Sequence, residues 1–196
     1  MVITKRRQGG FSVEKNRVIL VTGGSRSGKS KYAEEMLKNR DEVLYIATAI
    51  ITDAEMENRI KKHIERRNEK WTTYEGFKDL DLVLESNKED TIMLDCVTIM
   101  LTNLMFSTER DFDNMSLEEV EILYKQIENQ FYKLISKAKE LNKTLIMVTN
   151  EVGYGLVPEY KISRIFRDMA GSINQFIASL CDEVYLVACG LPVKLK

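Results

Sequence analysis

An eight-residue stretch near the amino terminus constrains the fold of this chain more than any other part of its sequence. Gly23-Gly24-Ser25-Arg26-Ser27-Gly28-Lys29-Ser30 matches the pattern G-x-x-x-x-G-K-[ST]. It follows the apolar run Val18–Thr22 and opens a helical pattern at Lys29–Asn39. A strand, a glycine-rich turn and a helix in this order are typical of a phosphate-binding loop, whose backbone N–H groups and helix N-terminus face an anion.

All eight residues of the loop are therefore candidate nucleotide ligands: Gly23, Gly24, Ser25, Arg26, Ser27, Gly28, Lys29 and Ser30. In such loops the lysine reaches the β- and γ-phosphates, and the serine hydroxyl is a ligand of Mg²⁺. The alternative is a glycine- and serine-rich turn that matches the pattern by chance. The flanking strand and helix favour nucleotide binding.

The other apolar runs predict an α/β fold. They are continuous rather than alternating, which is typical of strands covered on both faces of a largely parallel sheet. We predict further strands at 43–47, 71–74, 91–94, 144–149 and 183–188, and a short last strand at 193–195. The chain should therefore be a single P-loop NTPase domain over residues 18–196, a mostly parallel sheet flanked by helices, after a basic extension at 1–17.

Helices are predicted between these strands. The capping box Ser116-x-x-Glu119 opens a long one. Its apolar stripe, at steps of three or four residues, is Leu117, Val120, Leu123, Ile127, Phe131, Leu134, Ala138 and Leu141. Two more helices are predicted at Asp53–Asn68, with acidic residues early and basic residues late, and at Ser163–Leu180.

Composition excludes several classes of protein. The net charge is −1, so there is no global footprint of a nucleic-acid-binding protein, although residues 1–17 carry +4. No apolar stretch is long enough to span a bilayer. Cys96, Cys181 and Cys189 lie in apolar runs without C-x-x-C spacing, which predicts buried, reduced thiols in a cytoplasmic protein. The single histidine, His63, makes a zinc site unexpected.

Asp95 ends the apolar run Thr91–Leu94. A carboxylate at the carboxyl end of a strand next to the phosphate loop is where P-loop proteins orient Mg²⁺, so Asp95 joins Ser30 as a candidate metal ligand. The alternative is that Asp95 caps a helix at Val97–Met105.

Several further blocks, in order and at matching spacing, resemble one family. They are the GG-x-RSGKS form of the loop, YIATA at 45–49, D-x-EM…RI…H…W-x-T-x-E at 53–75, LDC-x-T…LTNL at 94–104, NEVG-x-G-x-VP at 150–158, and FRD-x-AG-x-x-NQ at 166–175. Over about Val18–Lys196 the chain resembles the bifunctional adenosylcobinamide kinase / adenosylcobinamide-phosphate guanylyltransferase family of cobalamin biosynthesis.

The resemblance implies two reactions. The family phosphorylates adenosylcobinamide with a nucleoside triphosphate, ATP or GTP, and then transfers GMP from GTP to that phosphate, giving adenosylcobinamide-GDP and pyrophosphate. It also implies a RecA-like domain, Mg²⁺, a homotrimer, and no nucleic-acid partner. The family's nucleotide contacts map onto Gly23–Ser30, Ala47, Thr48, Ala49, Ile64, Glu65, Arg66, Arg67, Glu75 and Asp95, and its guanylylated histidine onto His63.

The residue types around His63 fit that role. Neutral imidazole attacks phosphorus and leaves again near pH 7. Arg59, Arg66 and Arg67 stand at about one-turn spacing, where guanidiniums can hold phosphate oxygens. The alternative is a surface histidine on a charged helix. At the level of function the alternatives are a monofunctional small-molecule kinase and a RecA-like ATPase or switch.

Two expectations concern the remaining surface. A large amphipathic acceptor needs an apolar platform, for which Val97–Phe106 and Gly153–Pro158 are the candidates. Arg164 and Arg167 share a helical face, and we hypothesise that they reach the nucleotide of a neighbouring subunit.

Overall fold

The computed structural model describes residues 13–50, 61 and 68–196. Within them, seven strands form one sheet in the order β3-β2-β4-β5-β1-β6-β7. All neighbours pair in parallel except β6 and β7, which are antiparallel. The strands are β1 Val18–Gly23, β2 Leu44–Ala47, β3 Thr72–Glu75, β4 Thr91–Asp95, β5 Thr144–Asn150, β6 Glu183–Ala188 and β7 Leu191–Lys194. The predicted α/β fold with a mostly parallel sheet is confirmed.

Five helices of the described residues flank the sheet. They are α1 Lys29–Met36, α2 Leu80–Ser86, α3 Val97–Met105, α4 Leu117–Glu140 and α5 Lys161–Leu180. The capping box of α4 is confirmed, since the Ser116 hydroxyl accepts from the Glu119 N–H and the Glu119 carboxylate from the Ser116 N–H. The helix predicted at Asp53–Asn68 lies almost entirely outside the described residues.

Two apolar cores lie on opposite faces of the sheet, because successive strand residues point to opposite sides. Val18 and Leu20 of β1 pack with α2, α3, α4 and α5, whereas Ile19 and Val21 pack with α1. The stripe predicted for α4 is wrong at its first position: Leu117 is exposed. It is the first residue of the helix, so its side chain lies beyond the edge of the core.

The described end of the basic extension contacts the domain. The Val13 carbonyl accepts a hydrogen bond from the Arg40 guanidinium at 2.6 Å, and the Asn16 N–H donates to Thr144 Oγ1 at 3.0 Å. Residues 1–12 lie outside the description. None of the described helices is both long and apolar enough to cross a membrane.

Candidate active site at the carboxyl edge of the sheet

The phosphate-loop motif forms a turn between β1 and α1, as predicted. We call residues 23–30 the cradle. Its backbone curls on itself: the Ser27 N–H donates to the Gly24 carbonyl at 3.2 Å, and Arg26 and Gly28 have φ of 57° and 96°. The side chains of Ser25 and Arg26 are exposed. Turns with left-handed residues of this kind typically direct successive backbone N–H groups towards one concavity, which binds anions such as phosphate.

Lys29 lies folded into the cradle. Only 8% of it is exposed, and its Nζ donates to the Gly24 carbonyl at 3.0 Å. Burial lowers the pKa of Lys29, while the nearby Cys96 thiol and Asp95 carboxylate act in the opposite direction. Lys29 therefore hydrogen-bonds to the backbone of the cradle and interacts electrostatically with residues at the end of β4.

Asp95 ends β4 and is held by an aromatic pair. The Tyr45 hydroxyl donates to Asp95 Oδ2 at 3.0 Å, and the Tyr45 ring stacks on Trp71 with centroids 6.4 Å apart. The Trp71 indole N–H in turn donates to the Arg40 carbonyl at 2.9 Å. The alternative role of Asp95 as a helix cap is wrong, because the N-cap of α3 is Cys96, one residue further on.

The polar groups of Thr48 are bonded within the protein and join the end of β2 to the residues after β4. We call these bonds the Thr48 latch. The Thr48 hydroxyl donates to the Cys96 carbonyl at 2.9 Å and accepts from the Cys96 N–H at 2.8 Å. Its own N–H donates to the Asp95 carbonyl, and its carbonyl accepts from the Asn103 side chain at 2.7 Å. Because its side chain is buried and each of these groups is already bonded, Thr48 holds the backbone of Asp95 and Cys96 in place.

The other mapped contacts line up along the same edge of the sheet. Ala47 is paired in register with Glu75 on one side and with Asp95 on the other, and Ala49 follows two residues later. Each of the three paired residues is the last of its strand, and Glu75 is exposed. In an open α/β sheet this carboxyl edge is where ligands bind.

Sequence reasoning gave no role to Asn150. Asn150 ends β5 in register with Gly23, and its side-chain amide donates to Thr98 Oγ1 at 2.7 Å. The Asn174 side chain holds the same strand end: it accepts from the Thr149 hydroxyl at 2.7 Å and donates to the Asn150 carbonyl at 3.1 Å. The signal that could have identified Asn150 is its position directly after a buried apolar run, the same position that Asp95 has.

The two candidate acceptor platforms differ. Helix α3 faces the core with most of its apolar residues. In contrast, the segment between β5 and α5, residues 151–160, presents apolar side chains to solvent: Leu156 is 95% and Tyr154 86% exposed. We call this segment the apolar loop. Its first residue donates from its N–H to the Gly23 carbonyl at 3.0 Å, so it begins directly beside the cradle.

Both ends of the apolar loop are tethered. At its start the Glu151 N–H donates to the Gly23 carbonyl, and the Gly153 N–H closes a local turn on Glu151 Oε1 at 2.7 Å. At its end Arg164 donates to the Pro158 and Glu159 carbonyls. Arg167 pairs with Asp168 at 3.0 Å. Within the described residues, both arginines hypothesised to reach a neighbour's nucleotide thus have partners in their own chain.

The predicted nucleophile lies outside the described residues. His63 and the mapped contacts that follow it, Ile64, Glu65, Arg66 and Arg67, are all outside them. The described boundary nearest to them on the carboxyl side is Asn68, whose side chain donates to Asp41 Oδ1 at 3.3 Å.

The donor set at the cradle fits Mg²⁺. No group of three or more histidine, cysteine, aspartate or glutamate side chains that could hold a metal occurs within residues 13–50, 61 and 68–196. Mg²⁺ does not need such a cage, since it typically takes one or two protein oxygens plus waters and substrate phosphates. Ser30 and Asp95 supply oxygens of that kind.

The thiols divide into two kinds. Burial raises the pKa of Cys96 to about 11 and that of Cys181 to about 12. Cys189 is exposed, so the prediction that all three are buried is wrong there. It lies in the β6–β7 turn with φ of 52°, outside the apolar strand that precedes it.

Comparison with known proteins identifies the family of this chain and several of its relatives. Residues 19–195 match the family described as cobinamide kinase / cobinamide phosphate guanyltransferase. The bifunctional adenosylcobalamin biosynthesis proteins CobU of Escherichia coli and Salmonella typhimurium are each 42% identical over 91% of this chain and 99% of their own. CobP of Pseudomonas aeruginosa is 36% identical over 90% and 96%. Among solved structures, the flagellar accessory protein FlaH of Methanocaldococcus jannaschii aligns with 94% of this chain and 80% of its own, at 16% identity and a TM-score of 0.47.

Proposed function

Since the chain belongs to the cobinamide kinase / cobinamide phosphate guanyltransferase family, we propose that its cradle serves both of that family's transfers in turn. The protein is a bifunctional enzyme of cobalamin biosynthesis, with kinase and guanylyltransferase activities. The observation that carries the proposal is Lys29, buried and folded into the cradle, where its Nζ donates to the Gly24 carbonyl at 3.0 Å. Because the family has both activities, the two alternative functions, a monofunctional small-molecule kinase and a RecA-like ATPase or switch, are not favoured.

In the kinase step, the hydroxyl oxygen of adenosylcobinamide attacks the γ-phosphorus of ATP or GTP. The bond from that phosphorus to the bridging oxygen of the β-phosphate breaks, the nucleoside diphosphate leaves, and the hydroxyl proton is released to solvent. Lys29 and the backbone N–H groups of the cradle hold the β- and γ-phosphates in place. Ser30 and Asp95 would hold Mg²⁺. When bound, this ion neutralises charge on the phosphate oxygens as the bond to the leaving group breaks.

In the guanylyl step, the imidazole of His63 attacks the α-phosphorus of GTP. A nitrogen–phosphorus bond forms, the bond to the β-phosphate breaks, and pyrophosphate leaves. The phosphate oxygen of the acceptor then attacks the same phosphorus and releases the imidazole. Arg66 and Arg67 would hold the α-phosphate oxygens, and Ala47, Ala49, Ile64, Glu65 and Glu75 would surround the nucleoside.

For the acceptor we propose the apolar loop. It begins at the cradle, presents Tyr154, Leu156 and Val157 to solvent, and is hydrogen-bonded to the rest of the domain at both ends. A corrinoid ring with apolar edges would bury those side chains while its aminopropanol arm reaches the phosphates. From the family resemblance alone, we further propose a cytoplasmic homotrimer.

The decisive experiment follows the α-phosphate of GTP into the protein. GTP labelled at that position is incubated with the enzyme, which is then denatured. We expect an acid-labile, alkali-stable label that is absent from His63→Ala and is discharged by adenosylcobinamide phosphate. GTP labelled at the γ-phosphate is the control and should leave no such label. A label of equal strength in His63→Ala would contradict the assignment of His63, and no label at all would contradict a covalent guanylyl step.

A further inference from the structure

The β6–β7 turn touches the cradle. Strand β6 runs parallel to β1, with Thr22 opposite Leu186, so both strands end at the same edge of the sheet. The chain then reverses into β7 through Cys189 and Gly190. The Gly190 N–H donates to the Ser27 carbonyl at 2.8 Å, which ties the turn to the centre of the cradle.

Backbone lies against backbone at this contact. A Cβ on Gly28 would come within 3.2 Å of the Gly190 Cα, and a Cβ on Gly23 within 2.4 Å of the Val187 carbonyl oxygen. Neither Gly23 nor Gly28 could carry a side chain at this contact without a shift of the backbone. The end of β6 and the β6–β7 turn therefore pack closely against the backbone of the cradle.

The hydrogen bond at Ser27 has a directional consequence. The peptide bond between Ser27 and Gly28 is trans, so its C=O and N–H point in opposite directions. Because the Ser27 carbonyl faces the turn, the Gly28 N–H of the same peptide points to the side of the cradle opposite the turn. A cradle binds phosphate through the orientation of such N–H groups.

We infer that Gly190 is a positioning residue for the nucleotide's phosphate chain, acting through the Ser27–Gly28 peptide. This inference rests on the proposed use of the cradle for nucleoside triphosphates. It assigns to the carboxyl-terminal hairpin a part in substrate binding, although Gly190 lies 160 residues (190 − 30) after Ser30, the last residue of the phosphate-loop motif.

The geometry of Gly190 allows a matched pair of variants. Its φ is +76°, and no atom lies within 4 Å of where its Cβ would be. The Cβ of Gly190→Asn and of Gly190→Val therefore meets no clash, and the two variants differ in how well they tolerate this backbone conformation. Asparagine adopts the left-handed region with little strain, whereas a β-branched residue does so rarely.

The test measures binding of tripolyphosphate, GTP and GMP by calorimetry. Gly190→Val should weaken tripolyphosphate and GTP by about tenfold, the strain of one residue forced into the left-handed region. GMP, which lacks the β- and γ-phosphates, should change by less than about twofold, and Gly190→Asn should bind all three like the parent. Equal binding of tripolyphosphate by the parent and Gly190→Val, or equal losses for GTP and GMP, would overturn the inference.

Two controls separate the possible failures. If the parent itself binds no GTP, the proposed function fails rather than the role of Gly190. If Gly190→Val does not fold, Gly190→Ala imposes a milder strain at the same φ. It should show a smaller loss of the same kind, selective for tripolyphosphate, and unchanged binding in a folded Gly190→Ala would then count against the inference.

Discussion

The cradle and the apolar loop start from neighbouring strand ends but are built in opposite ways. In the cradle the backbone is braced by hydrogen bonds from Lys29, Ser27 and Gly190, and little side-chain surface is offered. In the apolar loop the backbone is held only near its ends, and large apolar side chains stand in solvent.

The difference matches what we propose that each region binds. Phosphate is recognised by the direction of N–H groups, and those directions must be fixed before the ligand arrives. An amphipathic ring is recognised mainly by buried area, which tolerates small movements of each side chain. We therefore expect single substitutions in and behind the cradle to cost more than single substitutions in the apolar loop.

The largest effect should come from Lys29→Ala. Removing this charge from the cradle should lower kcat/KM of the kinase on the order of 100-fold, the usual cost of losing one electrostatic group at a reacting phosphate. The matched control is Lys31→Ala on the same helix, whose exposed side chain pairs with Glu35 at 3.8 Å. Steady-state assays of both variants test this, and a similar loss in both would remove the special role of Lys29.

An intermediate effect should come from the Thr48 latch. Thr48→Val keeps the shape of the side chain but leaves the Cys96 N–H and carbonyl without their partner, at a cost of about 1–3 kcal/mol in unfolding free energy. Because Asp95 is displaced with that peptide, the Mg²⁺ concentration needed for half-maximal GTP binding should rise about tenfold.

Thr48→Ser supplies the control for this prediction. Serine keeps the hydroxyl and should restore both the stability and the Mg²⁺ requirement. Thermal unfolding and calorimetry of GTP at graded Mg²⁺ separate the two effects. Loss of stability in Thr48→Val without a change in the Mg²⁺ requirement would show that the latch does not position Asp95.

The smallest effect should come from the apolar loop. Leu156→Ser should raise the KM for adenosylcobinamide about fivefold, the cost of about 1 kcal/mol of lost apolar burial, and leave GTP binding and stability unchanged. Leu82→Ser is the control, at an exposed leucine of α2. Sedimentation completes the test: a change in assembly mass with an unchanged KM would mean that a second copy of the chain covers this face.

Local features of the site could be predicted from the sequence. The cradle and Asp95 were found because a glycine-rich turn and a terminal carboxylate each follow directly on an apolar strand. The strands and the capping box at Ser116 were found for the same reason: their signals lie within a few neighbouring residues.

The contacts that the sequence did not predict join residues far apart in the chain. Thr48 meets its partner Cys96 only because β2 and β4 are adjacent in the sheet, and no pattern near residue 48 announces it. Gly190 reaches Ser27 only because β6 lies next to β1. The exposure of Leu117 and Cys189 was mispredicted for a related reason: periodicity shows which residues are apolar, but not where the covering layer stops.

The stacking of Trp71 on Tyr45 has a practical consequence. Trp71 is the only tryptophan of the chain, and through one ring and one hydroxyl it adjoins the carboxylate of Asp95. An indole changes its emission when neighbouring charge is altered. Trp71 is thus an intrinsic fluorophore close to the proposed Mg²⁺ ligand Asp95. We expect nucleotide and Mg²⁺ binding to change its emission, so that loading could be followed in real time without a dye.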